Sequence, residues 1–154
     1  MATVSGRLAH LLSTRLAPIS RWYGRRHVRS YERSAGARRT RIVSGNEVFR
    51  LTVPGHSTGL PRSVMLVLVR DGDALLACAS NGGHPSEPTW SRNLRAAGVG
   101  EVRVGADVWK ISAHEADETQ RPGCWDRLLE VYPDFASYQE LTDRLLPVWV
   151  LSRA

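Results

Sequence analysis

The run Ala77-Cys78-Ala79-Ser80-Asn81-Gly82-Gly83 passes from three small apolar residues to a hydroxyl, a carboxamide and two glycines. Small side chains leave room for a flat ligand to lie against them, and the hydroxyl, amide and bare backbone beyond supply hydrogen bonds at its edge. A few residues on, Pro88-Thr89-Trp90-Ser91-Arg92-Asn93 returns an aromatic ring and a second carboxamide. With Pro88 at the first helical position, Trp90 and Asn93 stand three apart and share a face. Tyr132, Phe135 and Tyr138 also repeat at helical steps; the phenols can orient or protonate a bound molecule, and the same spacing equally suits core packing.

The elements that must position these groups are short. Residues 48–53 read as a strand, 61–70 with 74–80 as a hairpin about Asp71-Gly72, and 101–104 with 107–112 as another over Gly105-Ala106. Helices are expected at 88–97, at 117–132 with an interruption at Pro122-Gly123, and after Pro133; a strand at 146–151 closes the sheet. Mostly antiparallel strands with few helices suit a mainly β (α+β) barrel. No G-x-G-x-x-G follows a strand, so a Rossmann dinucleotide site has no support.

Charge divides the chain. Residues 1–50 hold 11 Arg and 2 Glu, a net +9, while residues 51–154 carry −3. The basicity therefore belongs to an N-terminal arm, residues 1–45, and the domain at 46–154 does not read as a nucleic-acid binder. Within the arm Leu8, Leu11, Leu12, Leu16, Ile19, Trp22 and Tyr23 recur at steps of three and four, with arginines on the other faces, and Pro18 is expected to split the segment into two helices. A basic amphipathic segment over residues 7–29 suits an anionic membrane surface, although the same leucines could pack on the barrel. Residues 33–45 read as a linker. Arg15 interrupts the apolar stretch that a secretory signal needs. Cys78 and Cys124 form no C-x-x-C and read as buried thiols, so no metal is expected.

The block A-S-x-G-G followed by P-x-W-x-x-N-L resembles the deazaflavin (coenzyme F420)-dependent nitroreductase and quinone reductase family. Gly55-His56-Ser57-Thr58-Gly59-Leu60-Pro61-Arg62 aligns with that family's G-R-K-[ST]-G-x-P-R, and Tyr132-Pro133-Asp134-Phe135, Tyr138-Gln139, Thr142-Asp143-Arg144 and Pro147-Val148-Trp149-Val150 follow in family order. The resemblance implies a flavin-type split β-barrel binding reduced F420, which carries a phosphodiester and an oligoglutamate tail and gives up a hydride. Such a site needs no triad or paired carboxylates; it holds the ring against the acceptor and donates hydrogen bonds.

By the same resemblance, the cofactor contacts His56, Ser57, Thr58, Arg62, Ser63, Val64, Met65, Leu66 and Val67, then Cys78, Ala79, Ser80 and Asn81, and finally Thr89, Trp90, Ser91, Arg92 and Asn93. Tyr132, Phe135 and Tyr138 form the substrate wall, with Ser80 and Tyr138 as the catalytic donors. Two departures bear on function. His56 and Ser57 replace a permanent Arg-Lys pair at the tail, leaving Arg62 and the amides of Gly55 and Gly59, and Phe135 replaces a tyrosine, which disfavours nitroaromatic acceptors. The expected function is hydride transfer to a quinone, nitroaromatic or other conjugated small molecule, in the cytoplasm or at the inner membrane face. The alternatives are a non-catalytic barrel that stores the deazaflavin or acts as a membrane-associated scaffold, and a flavin mononucleotide oxidase of the same fold.

Overall fold

The computed structural model describes residues 17–34 and 45–154, with side chains from residue 25 onward in the first stretch. Seven strands, β1 (Val48–Pro54), β2 (Pro61–Val67), β3 (Val69–Asp71), β4 (Ala74–Cys78), β5 (Val99–Val104), β6 (Asp107–Glu115) and β7 (Val148–Arg153), form one sheet. Every pairing is antiparallel, in the order β2-β1-β5-β6-β7-β4-β3. The two edge strands are consecutive in the chain and only Leu68 separates them, so the sheet curls until its edges meet at one bend. That bend is pinned: Leu68 is buried and its N–H donates to the Glu47 carbonyl at 2.8 Å.

A side-chain period of two then divides the apolar residues between two faces. Phe49, Leu51, Val53, Leu75, Ala77, Val102, Ile111, Trp149 and Leu151 fill the interior of the curl. Their alternates Val69, Leu76, Cys78 and Val148 point outward and meet Leu128, Phe135, Tyr138 and Leu146. Two helices, α3 (Arg121–Val131) and α4 (Asp134–Glu140), cover that outer face.

Helix α2 (Thr89–Ala97) packs across β1, and Leu94 seats it in the interior cluster. Pro88 is its N-cap residue, one place earlier than expected, and Gly98 ends it in the left-handed region at φ 67°. Helix α3 starts later than the pattern implied. Asp117 Oδ1 accepts the amides of Thr119 and Gln120 at 2.9 Å, which holds residues 117–120 in a turn, and Pro122 falls in the first helical turn where no N–H is required, so it does not interrupt. Strand β7 closes no edge: it lies between β6 and β4 and joins the two halves of the sheet.

Helix α1 (Ala17–Arg33) is continuous, with Pro18 in its first turn and not at a break; residues 1–16 and 35–44, including Leu8 to Leu16 and most of the expected linker, lie outside the described residues. Its last turns are docked on the barrel. Tyr31 is fully buried, donates to the Arg103 carbonyl at 3.3 Å and accepts the Gly105 N–H at 2.7 Å. His27, one turn earlier, is buried as well, and Glu32 pairs with Arg50 at 3.0 Å. Packing therefore begins well before residue 46, where the domain boundary was expected. Arg25, Arg26, Arg29 and Arg33 stay exposed.

Candidate functional site

Strand β2 carries the site along its length. Its first half, Arg62, Ser63 and Val64, lines one cleft, and its second half, Met65, Leu66 and Val67, lines another. Five residue steps of extended chain give the track a length of about 17 Å.

The first cleft, about 450 Å³, is closed by the loop Gly55, His56, Ser57 and Thr58 and by Thr89, Trp90 and Asn93 of α2. Trp90 and Asn93 share the helix face that looks into it. Asn93 is buried, and its Oδ1 accepts the His56 backbone N–H at 3.1 Å and lies 2.6 Å from His56 Nδ1. The backbone N–H can only donate, so it fixes which amide atom is the oxygen, and His56 Nδ1 must then carry a proton and leave Nε2 for a ligand. Asn93 thus clasps the loop to α2.

The loop is wound tighter than its glycines implied. Gly55 N–H donates to Leu60 O at 2.9 Å, and Gly59 N–H to Gly55 O at 2.7 Å. The two amides expected to meet an anionic tail are therefore engaged inside the loop. Donors left in the cleft are the Arg62 guanidinium, the His56 ring and the hydroxyls of Ser57, Thr58 and Ser63, the last 2.8 Å from Thr52 Oγ1.

The second cavity, about 230 Å³, is lined by Val48, Met65, Leu66, Val67, Ala77, Cys78, Ser80, Gly82, Tyr132, Phe135 and Tyr138. The three aromatics form one cluster: Phe135 stands edge-on to Tyr132, centroids 4.9 Å apart, and the Tyr132 and Tyr138 hydroxyls are 3.0 Å apart. Burial pushes both phenols up; for Tyr138 the hydroxyl of Tyr132 adds to it. Burial likewise pushes the Cys78 thiol up to about 12, against the opposing pull of Arg121 and Arg144. At neutral pH these walls are uncharged proton donors.

Four residues expected at the cofactor line neither cavity. Ala79 is fully buried in the interior cluster. Ser91 is fully buried too, accepting the Trp149 indole N–H at 2.8 Å and donating to Glu87. Asn81 is exposed in the left-handed region at φ 48°, its Nδ2 donating to Ser86 O at 3.1 Å. Arg92 is exposed and donates to Thr89 Oγ1 at 3.4 Å. Helical spacing explains Ser91 and Arg92, since residues one and two places after Trp90 point about 100° and 200° away from it. Ala77 and Gly82, part of the run read as ligand-facing though not among the expected cofactor contacts, line the second cavity, and so does Val48, which no motif marked; pleating and the sheet curl bring it in.

The curled sheet with helices over one end is a split barrel, and solved structures share it at several levels of similarity. An F420-H2 dependent reductase (FDR-A) is 33% identical with TM-score 0.64, covering 68% of this chain and 93% of that one. A chain described as a domain-swapped dimer is 29% identical with TM-score 0.67, covering 86% and 98%. A haem-binding protein of Mycobacterium smegmatis, 18% identical with TM-score 0.53 over 77% of this chain and 50% of that one, shares the fold alone. Residues 22–153 match the family model for F420H(2)-dependent quinone reductase, and the chain belongs to that family. An F420H(2)-dependent quinone reductase of Mycobacterium tuberculosis strain H37Rv is 33% identical over 149 residues, covering 88% of this chain and 98% of its own.

Membership makes the protein an oxidoreductase that uses reduced F420. The residues present fit that group. A cleft whose lining brings one permanent cation and several hydroxyls to a largely apolar wall can meet an anionic tail, and a neighbouring cavity edged by neutral donors can take a planar ring. Among the described residues no helix is long and apolar enough to cross a membrane.

Proposed function

We propose that this protein reduces a quinone in the second cavity, with the cofactor's anionic end in the first cleft and Ser80 and Tyr138 serving the acceptor. The carrying observation is that β2 runs from the Arg62 guanidinium in the first cleft to Val67 in the second cavity, which three side-chain hydroxyls line. Ser80 has no hydrogen bond from its hydroxyl among the described residues, and it lines the same cavity as the Tyr132–Tyr138 pair.

Reduced F420 supplies the hydride. The chain's own part is to exclude water with Phe135, Leu66 and Val48, to hold the acceptor oxygen with Ser80 Oγ, and to keep a proton available at Tyr138 Oη. The Tyr132 hydroxyl, 3.0 Å away, can donate to Tyr138 Oη and so leave the Tyr138 proton for the acceptor. An oxygen that gains negative charge as hydride arrives is met by donors already aimed at it. Ser80→Ala and Tyr138→Phe should therefore each lower kcat with a soluble quinone far more than they weaken cofactor binding. A well-formed donor of this kind is worth about 2.7–4 kcal/mol, or two to three decades in rate. Loss of binding with unchanged kcat would move both residues out of the reacting end. With Phe135 in the wall, turnover of nitroaromatics is low, and Phe135→Tyr raises it.

The exposed Arg25, Arg26, Arg29 and Arg33 support a peripheral role at an anionic membrane, where a lipid-soluble quinone is found. The buried His27 and Tyr31 on the opposite side of α1 leave that basic side outward.

A further inference from the structure

The turn that carries Ser80 has no strand to hold it. Asn81, Gly82 and Gly83 take three successive positive φ values, 48°, 62° and 77°, and within the turn Gly83 N–H donates to Ser80 O at 2.9 Å and His84 N–H to Asn81 O at 3.1 Å. Backbone of this kind persists only where its surroundings impose it. The Arg144 guanidinium does so from below: Nε donates to His84 O at 2.9 Å, and Nη2 donates to Ala79 O at 3.0 Å and to Ser80 O at 2.7 Å. Its Nη1 is buried without a partner, so the side chain gives up a hydrogen bond to sit there.

The other catalytic candidate is tied to the same place. Gln139, next to Tyr138, donates from Nε2 to Arg144 O at 2.9 Å and to Thr142 O at 3.4 Å, and its Oε1 accepts the Leu146 N–H at 3.0 Å. The Ser80 turn also rests on Tyr138 directly, since a Cβ at Gly83 would stand 2.8 Å from Tyr138 O. We propose that Gln139 and Arg144 are positioning residues, a brace that sets Ser80 and Tyr138 at the separation at which both reach one acceptor. This rests on the reading of those two residues as the donors, and it gives the Tyr-Gln and Thr-Asp-Arg motifs a task in the reaction.

Lysine at 144 keeps the charge but not the planar fork that reaches three carbonyls. The test is Arg144→Lys, with Gln139→Ala as a second variant should the first fold poorly, each alone and combined with Ser80→Ala. Three quantities are read: the dissociation constant of reduced F420, the single-turnover rate with menadione, and amide hydrogen exchange at Gly83 and His84 without cofactor. The brace predicts far less change in binding than in rate, because the cofactor's anionic end sits in the first cleft, whose lining does not include the braced turn. It predicts a rate about 10- to 100-fold lower, the loss for a misplaced reacting group. Exchange at Gly83 and His84 should quicken, and Ser80→Ala should cost little more in either variant background. Additive rate losses, or unchanged exchange, would overturn it. A wild type that binds reduced F420 yet transfers nothing to any quinone would remove the donor assignment and the brace with it, whereas a reactive wild type with additive variants removes the brace alone.

Discussion

Asn93→Ala separates a cofactor contact from a structural clasp. The buried Asn93 Oδ1 serves two His56 donors, the backbone N–H at 3.1 Å and Nδ1 at 2.6 Å. His56 is itself exposed, so water can take over part of what is lost, and each hydrogen bond then contributes about 0.5–1.5 kcal/mol. The variant should lose about 2 kcal/mol, which for a chain of this size lowers Tm by about 4–8 °C. Freed from α2, the loop must be ordered again by the ligand, and affinity for reduced F420 should fall about tenfold or more, each decade corresponding to about 1.4 kcal/mol. Asn93→Asp supplies the control, because a carboxylate still accepts both bonds: its Tm should stay near that of the wild type while its added negative charge opposes the tail. Differential scanning fluorimetry and a fluorescence titration on the same samples read both numbers. Asn93→Ala with unchanged Tm but weakened binding would refute the clasp and return Asn93 to direct contact.

Ser91→Ala should act on stability alone. It strips the buried Trp149 indole of its acceptor, at about 1–3 kcal/mol, and should leave the dissociation constant of reduced F420 unchanged in titration. The pH dependence follows from groups that the fold pushes up. Cys78 and Tyr138 hold their protons more tightly folded than unfolded, so their contribution is complete at neutral pH and is lost as pH rises past the unfolded values, 9.0 for the thiol and 10.0 for the phenol. Denaturation curves should therefore show falling stability above pH 9.0, and turnover should show no limb from Tyr138 ionisation between neutrality and pH 10.0. Removing residues 1–16 should weaken salt-sensitive sedimentation with anionic vesicles without unfolding the domain, whereas removing residues 1–33 takes Tyr31 out of the core and should lower Tm as well.

The strand pattern was legible wherever one face is buried, as in Phe49, Leu51 and Val53, because a period of two admits a single register. The bend at Leu68 was not, since residues 64–69 form one apolar run, and what breaks it is the distant Glu47 carbonyl and the closure of the curl. The docking of α1 was hidden for the same reason: Tyr31 reads as one more position on a basic helix until Arg103 and Gly105 come to meet its hydroxyl. Of the site, Trp90, Asn93, Ser80 and the three aromatics followed from motif and spacing. Ser91 and Ala79 carry the same motif weight but point inward, which only the packing of Trp149 and the interior cluster decides. The engaged amides of Gly55 and Gly59 are a matter of loop winding, on which residue type is silent.

The proposed reaction is direct hydride delivery to an acceptor held by Ser80 and Tyr138. Its most direct test is a single turnover of the full chain with menadione and F420 reduced with deuterium at its reactive carbon. Direct delivery should give one hydroquinone per cofactor oxidised, a primary isotope effect on the fast phase, and loss of that phase in Ser80→Ala and Tyr138→Phe with far less change in cofactor affinity. Tight binding of reduced F420 without oxidation by any quinone, or a fast phase indifferent to both substitutions, would contradict it.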